Sequence, residues 1–110
     1  MEIIKIELPD RVEYKNELGQ LHRLDGPAIE NASGDKAWYQ NGQRHRLDGP
    51  ALELSDGTQE WFQNGQRHRL DGPALELSDG SKGYYIHNFE YSEIEYRFFV
   101  AAISGNKVVA

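Results

Sequence analysis

QNGQRHRLDGPALELSDG occupies residues 40–57 and, letter for letter, residues 63–80, so the chain repeats with a period of 23 residues. The shorter HRLDGPA at 22–28 stands the same 23 residues ahead of HRLDGPA at 45–51. A fixed period of this size marks a repeat architecture, in which each unit is one supersecondary step that buries its faces against its neighbours. Any motif inside the unit therefore occurs several times. That multiplicity decides how each candidate site is weighed.

The unit from Pro50 to Gly72 reads as β-structure throughout. Ala51-Leu52-Glu53-Leu54 alternates with the period of two of a half-buried strand. Ser55-Asp56-Gly57 is a hairpin signal, read here as a tight primed turn with positive φ angles at Asp-Gly. Thr58–Gln63 is rich in β-favouring residues and is expected as one return strand. Asn64-Gly65 is a second primed-turn dipeptide, after which Gln66–Arg69 forms a short extended piece closed by Leu70-Asp71-Gly72-Pro73. The same frame runs from Pro27 and again from Pro73.

The ends depart from the frame. Upstream, Val12–Asn16 resembles the second strand and turn, with two extra residues expected before Gln20-Leu21-His22-Arg23. Downstream, Asn64-Gly65 becomes His87-Asn88 and Arg67-His68 becomes Glu90-Tyr91, which reads as a truncated fourth unit with a broken turn. Ser92 and Glu95 form a capping box for a terminal helix, with Tyr91 placed to staple onto Tyr96. Ile94, Phe98, Phe99, Ala102 and Ile103 recur at helical spacing, a face expected to close the open end of the sheet, and Gly105 marks the stop. Ile3–Ile6 is expected to add a strand at the other end.

The fold class that follows is mainly β: an elongated, twisted antiparallel sheet of successive β-hairpin repeats with a short C-terminal capping α-helix. One repeat domain over 1–110 is expected, with an N-terminal strand or cap at 1–11, repeats at 12–91 and the cap helix at 92–104.

Composition narrows the function classes. Twelve basic against eighteen acidic residues leave a net charge of −6, which disfavours direct nucleic-acid binding because polyanion readers present a dominant basic surface. The absence of cysteine excludes disulfides and zinc–thiolate sites and favours an intracellular, cytoplasmic setting. No basic stretch followed by an apolar one opens the chain as a signal peptide would, and no apolar run reaches the ~18 residues of a membrane span.

With Trp61-Phe62-Gln63-Asn64-Gly65 leading into His68, then Asp71-Gly72 and Asp79-Gly80, the chain resembles MORN repeats over roughly 12–92. It is most similar to the variant written HRxDGPAxxxxxDGxxxWYxNGxxHR, common in bacteriophage and large-virus proteins. The resemblance implies a twisted array of hairpins. For function it implies a protein scaffold, a dimerisation module or a lipid-headgroup binder, and in a phage setting (host cytoplasm) a protein that occupies and inhibits a host protein such as a defence component.

The most tempting chemical cluster is His22, Arg23 and Asp25 with its equivalents His45, Arg46, Asp48 and His68, Arg69, Asp71. Ligands for one metal must converge at about 2 Å, whereas equivalent positions lie several strand spacings of ~4.8 Å apart, so no metal site is expected. An active site needs one asymmetric set of groups, so no catalytic residue and no cofactor are expected either. The bland reading makes the corner structural: each Asp accepts backbone hydrogen bonds, each Arg pairs with a carboxylate, and each His packs on a ring or donates to a carbonyl.

Trp38, Trp61 and Tyr84 form one aromatic ladder, with Tyr39, Phe62 and Tyr85 on the opposite face by strand alternation. Flanked by Arg44, Arg46, Arg67 and Arg69, they make an aromatic/Arg stripe of the kind enriched at binding hot spots. Glu93 and Glu95 make the cap acidic. The leading expectation is a non-enzymatic module that binds a protein partner through this stripe and the cap. The alternatives are an anionic-lipid or membrane-surface binder, which the acidic surplus disfavours, and a homo-oligomer formed through open sheet edges.

Overall fold

The computed structural model describes residues 2–105 and is mainly β, elongated at 58 × 34 × 18 Å. The expected domain span also takes in residues 1 and 106–110, which lie outside the described residues. Among the described residues thirteen short strands precede one helix. An N-terminal hairpin of β1 (Ile4–Leu8) and β2 (Arg11–Lys15) supplies the strand expected at that end. The main sheet continues antiparallel through β3 (Ile29–Asn31), β4 (Lys36–Ala37), β7 (Leu52–Glu53), β8 (Gln59–Glu60), β11 (Leu75–Glu76), β12 (Lys82–Ile86) and β13 (Phe89–Tyr91). Two small hairpins stand outside it, β5 (Tyr39–Gln40) with β6 (Gln43–Arg44) and β9 (Phe62–Gln63) with β10 (Gln66–Arg67).

The expected single return strand is in fact two. It breaks at Trp38 and at Trp61, where the chain changes partner. Lys36-Ala37 pair with Glu53-Leu52 of the next unit, while Tyr39-Gln40 pair with Arg44-Gln43 of their own hairpin. Trp38 itself serves both, its N–H donating to Ala51 O at 2.7 Å and its carbonyl accepting from His45 N at 3.0 Å. In the last unit the same change of partner happens inside β12 without a break.

Two kinds of turn alternate along the array. Asn41-Gly42 and Asn64-Gly65 are the primed turns expected, with φ of 51° and 80°, then 52° and 80°. At the other turn, only Gly57 of Ser55-Asp56-Gly57 has positive φ, and Leu54 N donates to Thr58 O across a three-residue loop. This is a wider loop than the primed turn expected there. The Asp56 carboxylate accepts from Thr58 N at 2.8 Å, which replaces the second positive φ as the device that closes the loop and holds its pKa below the usual range.

Both ends correct the sequence reading. Tyr14 stands eight residues before His22 where Trp38 stands seven before His45, so the first unit carries one extra residue rather than two. The insertion widens its turn to Glu17-Leu18-Gly19, laced by the fully buried Asn16, whose Oδ1 accepts from Leu18 N and Gln20 N. The fourth turn is not broken. His87 and Asn88 both adopt positive φ, 47° and 72°, and join β12 to β13 as Asn-Gly does elsewhere. Asn tolerates this region best among residues with a Cβ. What the fourth unit lacks is the corner, because the chain turns into α1 (Glu93–Ile103) at Ser92.

Helix α1 begins at the expected capping box, with Ser92 Oγ accepting from Glu95 N and Glu95 accepting from Ser92 N. The expected staple does not form. Tyr91 meets Phe99 at 5.6 Å, while Tyr96 turns onto Tyr84 at 4.9 Å. Nor does the apolar face close the sheet as expected. Tyr96 is the buried residue of α1, and Ile94 and Phe98, on the side opposite Tyr96, are 69% and 72% exposed.

The core is thin. Ala28, Ala51 and Ala74, at one repeat position, are fully buried, and the larger buried apolar residues are Phe62, Ile86 and Tyr96. The small side chains let successive units approach while Ala28 N, Ala51 N and Ala74 N each donate across to the neighbouring strand at 2.8–2.9 Å. Hydrogen-bonded ladders and stacked side chains therefore hold the array together more than a deep apolar interior does.

Candidate functional site

Each HRLDGP corner ties its own hairpin to the next. The Nδ1 atoms of His22, His45 and His68 accept from the backbone N–H of Asn41, Asn64 and His87 at 2.9, 3.0 and 3.0 Å. The imidazoles accept rather than donate, the reverse of the sequence expectation, and so carry their proton on Nε2. The residue donating this bond is the first positive-φ position of the next turn, so the His fixes both the turn and its register. His68 also lies 4.3 Å from the His87 ring. Burial, with a smaller contribution from His87, pushes its pKa below the ordinary value.

The arginines are spent inside the unit. Arg46 lies over the Trp38 ring at 3.9 Å, its Nε donates to Asp48 at 3.1 Å, and its Nη1 donates to the Pro50 carbonyl at 3.0 Å. Arg69 repeats the arrangement on Trp61, Asp71 and Pro73, and Arg23 on Tyr14, Asp25 and Pro27. Asp25, Asp48 and Asp71 thus take the arginine pairing expected of the corner, but not the backbone donors also expected of them. Gly26, Gly49 and Gly72 belong to the same motif for a steric reason. A Cβ at Gly49 would lie 3.0 Å from Arg46 Cζ, and one at Gly72 2.8 Å from Arg69 Cζ. Tyr84 has no such arginine. The ring of Tyr96 takes that place, and its hydroxyl bonds Arg69 O, Gly72 O and Gly72 N at 2.6, 2.8 and 3.1 Å.

The second aromatic ladder is interleaved with cations. Arg44 lies 5.3 Å from the Phe62 ring and donates to Tyr39 Oη, while Arg67 lies between Phe62 and Tyr85 at 5.8 and 5.3 Å and bonds Glu60 at 3.0 Å. Phe62 is buried; Tyr39, Tyr85 and both Trp rings are half-buried. Glu93 pairs with Arg97, and Glu95 serves the capping box, its carboxyl held below the usual range by the Ser92 N–H. The sequence-selected aromatic and arginine residues are therefore brought together, and are largely occupied with one another.

Sequence reasoning missed the residues that stay free. Leu24, Leu47 and Leu70 hold the same place in successive corners and are 73%, 74% and 43% exposed. The period itself was the available signal, an apolar residue placed three times in an otherwise polar turn. Between the corners lie three open notches of about 470, 520 and 550 Å³, lined in turn by Tyr14, Trp38 and Trp61. Leu24 borders the first two and Leu47 the last two, so the notches form one row. Asp25, Asp48 and Asp71, each nearly nine-tenths exposed, stand beside the leucines.

No protein-family model matches the chain, and neither a curated protein nor a solved structure matches it significantly. Among the described residues no helix is long and apolar enough to cross a membrane.

Proposed function

We propose that the chain is a non-enzymatic protein-binding module that presents the corner edge of its hairpin array to a partner. The observation that carries this reading is the row of solvent-facing Leu24, Leu47 and Leu70 set at fixed intervals on a sheet with a thin interior. Apolar side chains held exposed in register, rimmed by charge, are a feature of contact surfaces. The reading moves the contact from the aromatic/Arg stripe to the leucines beside it, since Arg46 and Arg69 are fully engaged within their corners. The same engagement weakens the anionic-lipid alternative, which needs free cations. The resemblance to phage arrays adds a narrower form of the proposal, in which the partner is a host protein that the module occupies and inhibits.

Affinity capture from a host lysate, repeated with Leu47→Asp, tests this reading. One specific partner that is lost with the variant, while the circular dichroism of the variant is unchanged, supports it. No specific partner, or a partner retained equally by Leu47→Asp, removes it.

A further inference from the structure

We infer that the row of notches is a groove for one extended, basic peptide segment in the polyproline II conformation, carrying an apolar residue at every third position. The inference rests on the protein-binding reading and adds the conformation and chemistry of what is bound. Its first support is pitch. Each 23-residue unit adds two strands to the main sheet, β3–β4, β7–β8 and β11–β12, so equivalent corners recur about every 9.6 Å at ~4.8 Å per strand. A polyproline II helix has three residues per turn at 3.1 Å each, placing every third side chain on one face about 9.3 Å apart. A β-strand puts residues three apart on opposite faces. An α-helix repeats its face over two turns at about 10.5 Å, which drifts out of step with a row of about 9.6 Å faster than the repeat of about 9.3 Å does.

The second support is the lining. Tyr14, Trp38 and Trp61 each line one notch, and leucines wall them. Aromatic-lined grooves suit this conformation because the ligand is already ordered and presents apolar ridges. The third is charge. Asp25, Asp48 and Asp71 are 87%, 89% and 88% exposed while their arginine partners are 22%, 24% and 21% exposed, so the charge most open to a ligand along the row is carboxylate. A cationic residue between the apolar ones meets those carboxylates. The row ends where Tyr96 takes the Gly72 and Arg69 backbone groups, which sets its length at three notches.

The test is fluorescence anisotropy with a labelled peptide of Arg-Pro-Leu repeated four times, against a peptide of the same composition with its prolines and leucines grouped. The period-three peptide is expected to bind in a salt-sensitive way. Leu47→Ser is expected to weaken it roughly tenfold, as loss of one buried leucine contact does. Asp48→Asn is expected to weaken it less, with a shallower salt dependence. Leu47 is exposed, so an unchanged melting curve verifies that the variant folds. Equal binding of the two peptides, insensitivity to Leu47→Ser, or no binding of either peptide overturns the groove. In the last case a partner captured from lysate and lost with Leu47→Asp leaves the broader module reading standing, so the two failures are distinguishable.

Discussion

Removing one oxygen from Tyr96 separates two accounts of the C-terminal cap. If the helix is held by its apolar surface, Tyr96→Phe is harmless, because the ring and its contact with Tyr84 remain. The structure argues otherwise. The Tyr96 hydroxyl is the partner of three backbone groups of the third corner, Gly72 N, Gly72 O and Arg69 O, and Tyr96 is only 5% exposed. Leaving a part-buried backbone donor without a partner costs about 1–3 kcal/mol, and the one carbonyl that receives the hydroxyl proton adds to that, so a loss of about 2 kcal/mol is expected. Phe98→Ala, at a 72% exposed site, is expected to change stability by about 0.5 kcal/mol or less. An array coupled through nearest neighbours frays from its ends, so the loss appears first as local opening. Amide exchange in residues 93–103 is expected to quicken about 30-fold in Tyr96→Phe, with a smaller fall in the urea midpoint. Exchange within about twofold of the parent chain, with an unmoved midpoint, would refute the hydroxyl as the anchor.

The same tyrosine gives an alkaline limit. Burial is the main cause raising its pKa above the ordinary value, so its contribution is complete below pH ~10 and is lost as pH rises through the higher folded value. Absorbance at alkaline pH should show one tyrosine ionising late and together with loss of helix; six tyrosines ionising alike would contradict it. His68 sets a limit on the acid side. Its folded pKa lies below the unfolded ~6.5, so its contribution is present above that pH and falls away as pH drops through the folded value. The parent chain should lose more stability between pH 7.5 and 5 than His68→Gln does, and equal losses would remove the histidine from the account. Gly49→Ala should push Arg46 off Trp38, costing about 1 kcal/mol and changing indole fluorescence. An unaltered spectrum would mean the guanidinium moves without leaving the ring.

The period, the turn chemistry of Asn64-Gly65 and the capping box at Ser92 are local signals, and they determined by themselves that this chain is an antiparallel array of hairpins ending in a helix. Each depends on φ preferences or hydrogen bonds within a few residues, which a sequence displays directly. The bend at Trp61 was not legible, because it arises where the strand exchanges a neighbouring unit's pairing for its own hairpin's. The corner was legible as structural, but not its wiring. His68 accepts a bond from a residue 19 positions on, and Gly49 is required by the guanidinium of Arg46 rather than by its own φ. Exposure was decided only by the tertiary structure. A one-layer array gives both faces and both edges some solvent, so hydropathy did not distinguish the aromatic rings, which are stacked under arginines, from Leu24, Leu47 and Leu70, which are free. The helix shows the same limit. Its apolar positions recur at helical spacing in the sequence, but a sheet edge this narrow buries Tyr96 instead and leaves Ile94 and Phe98 facing outward, because none of the described residues stands on that side to cover them.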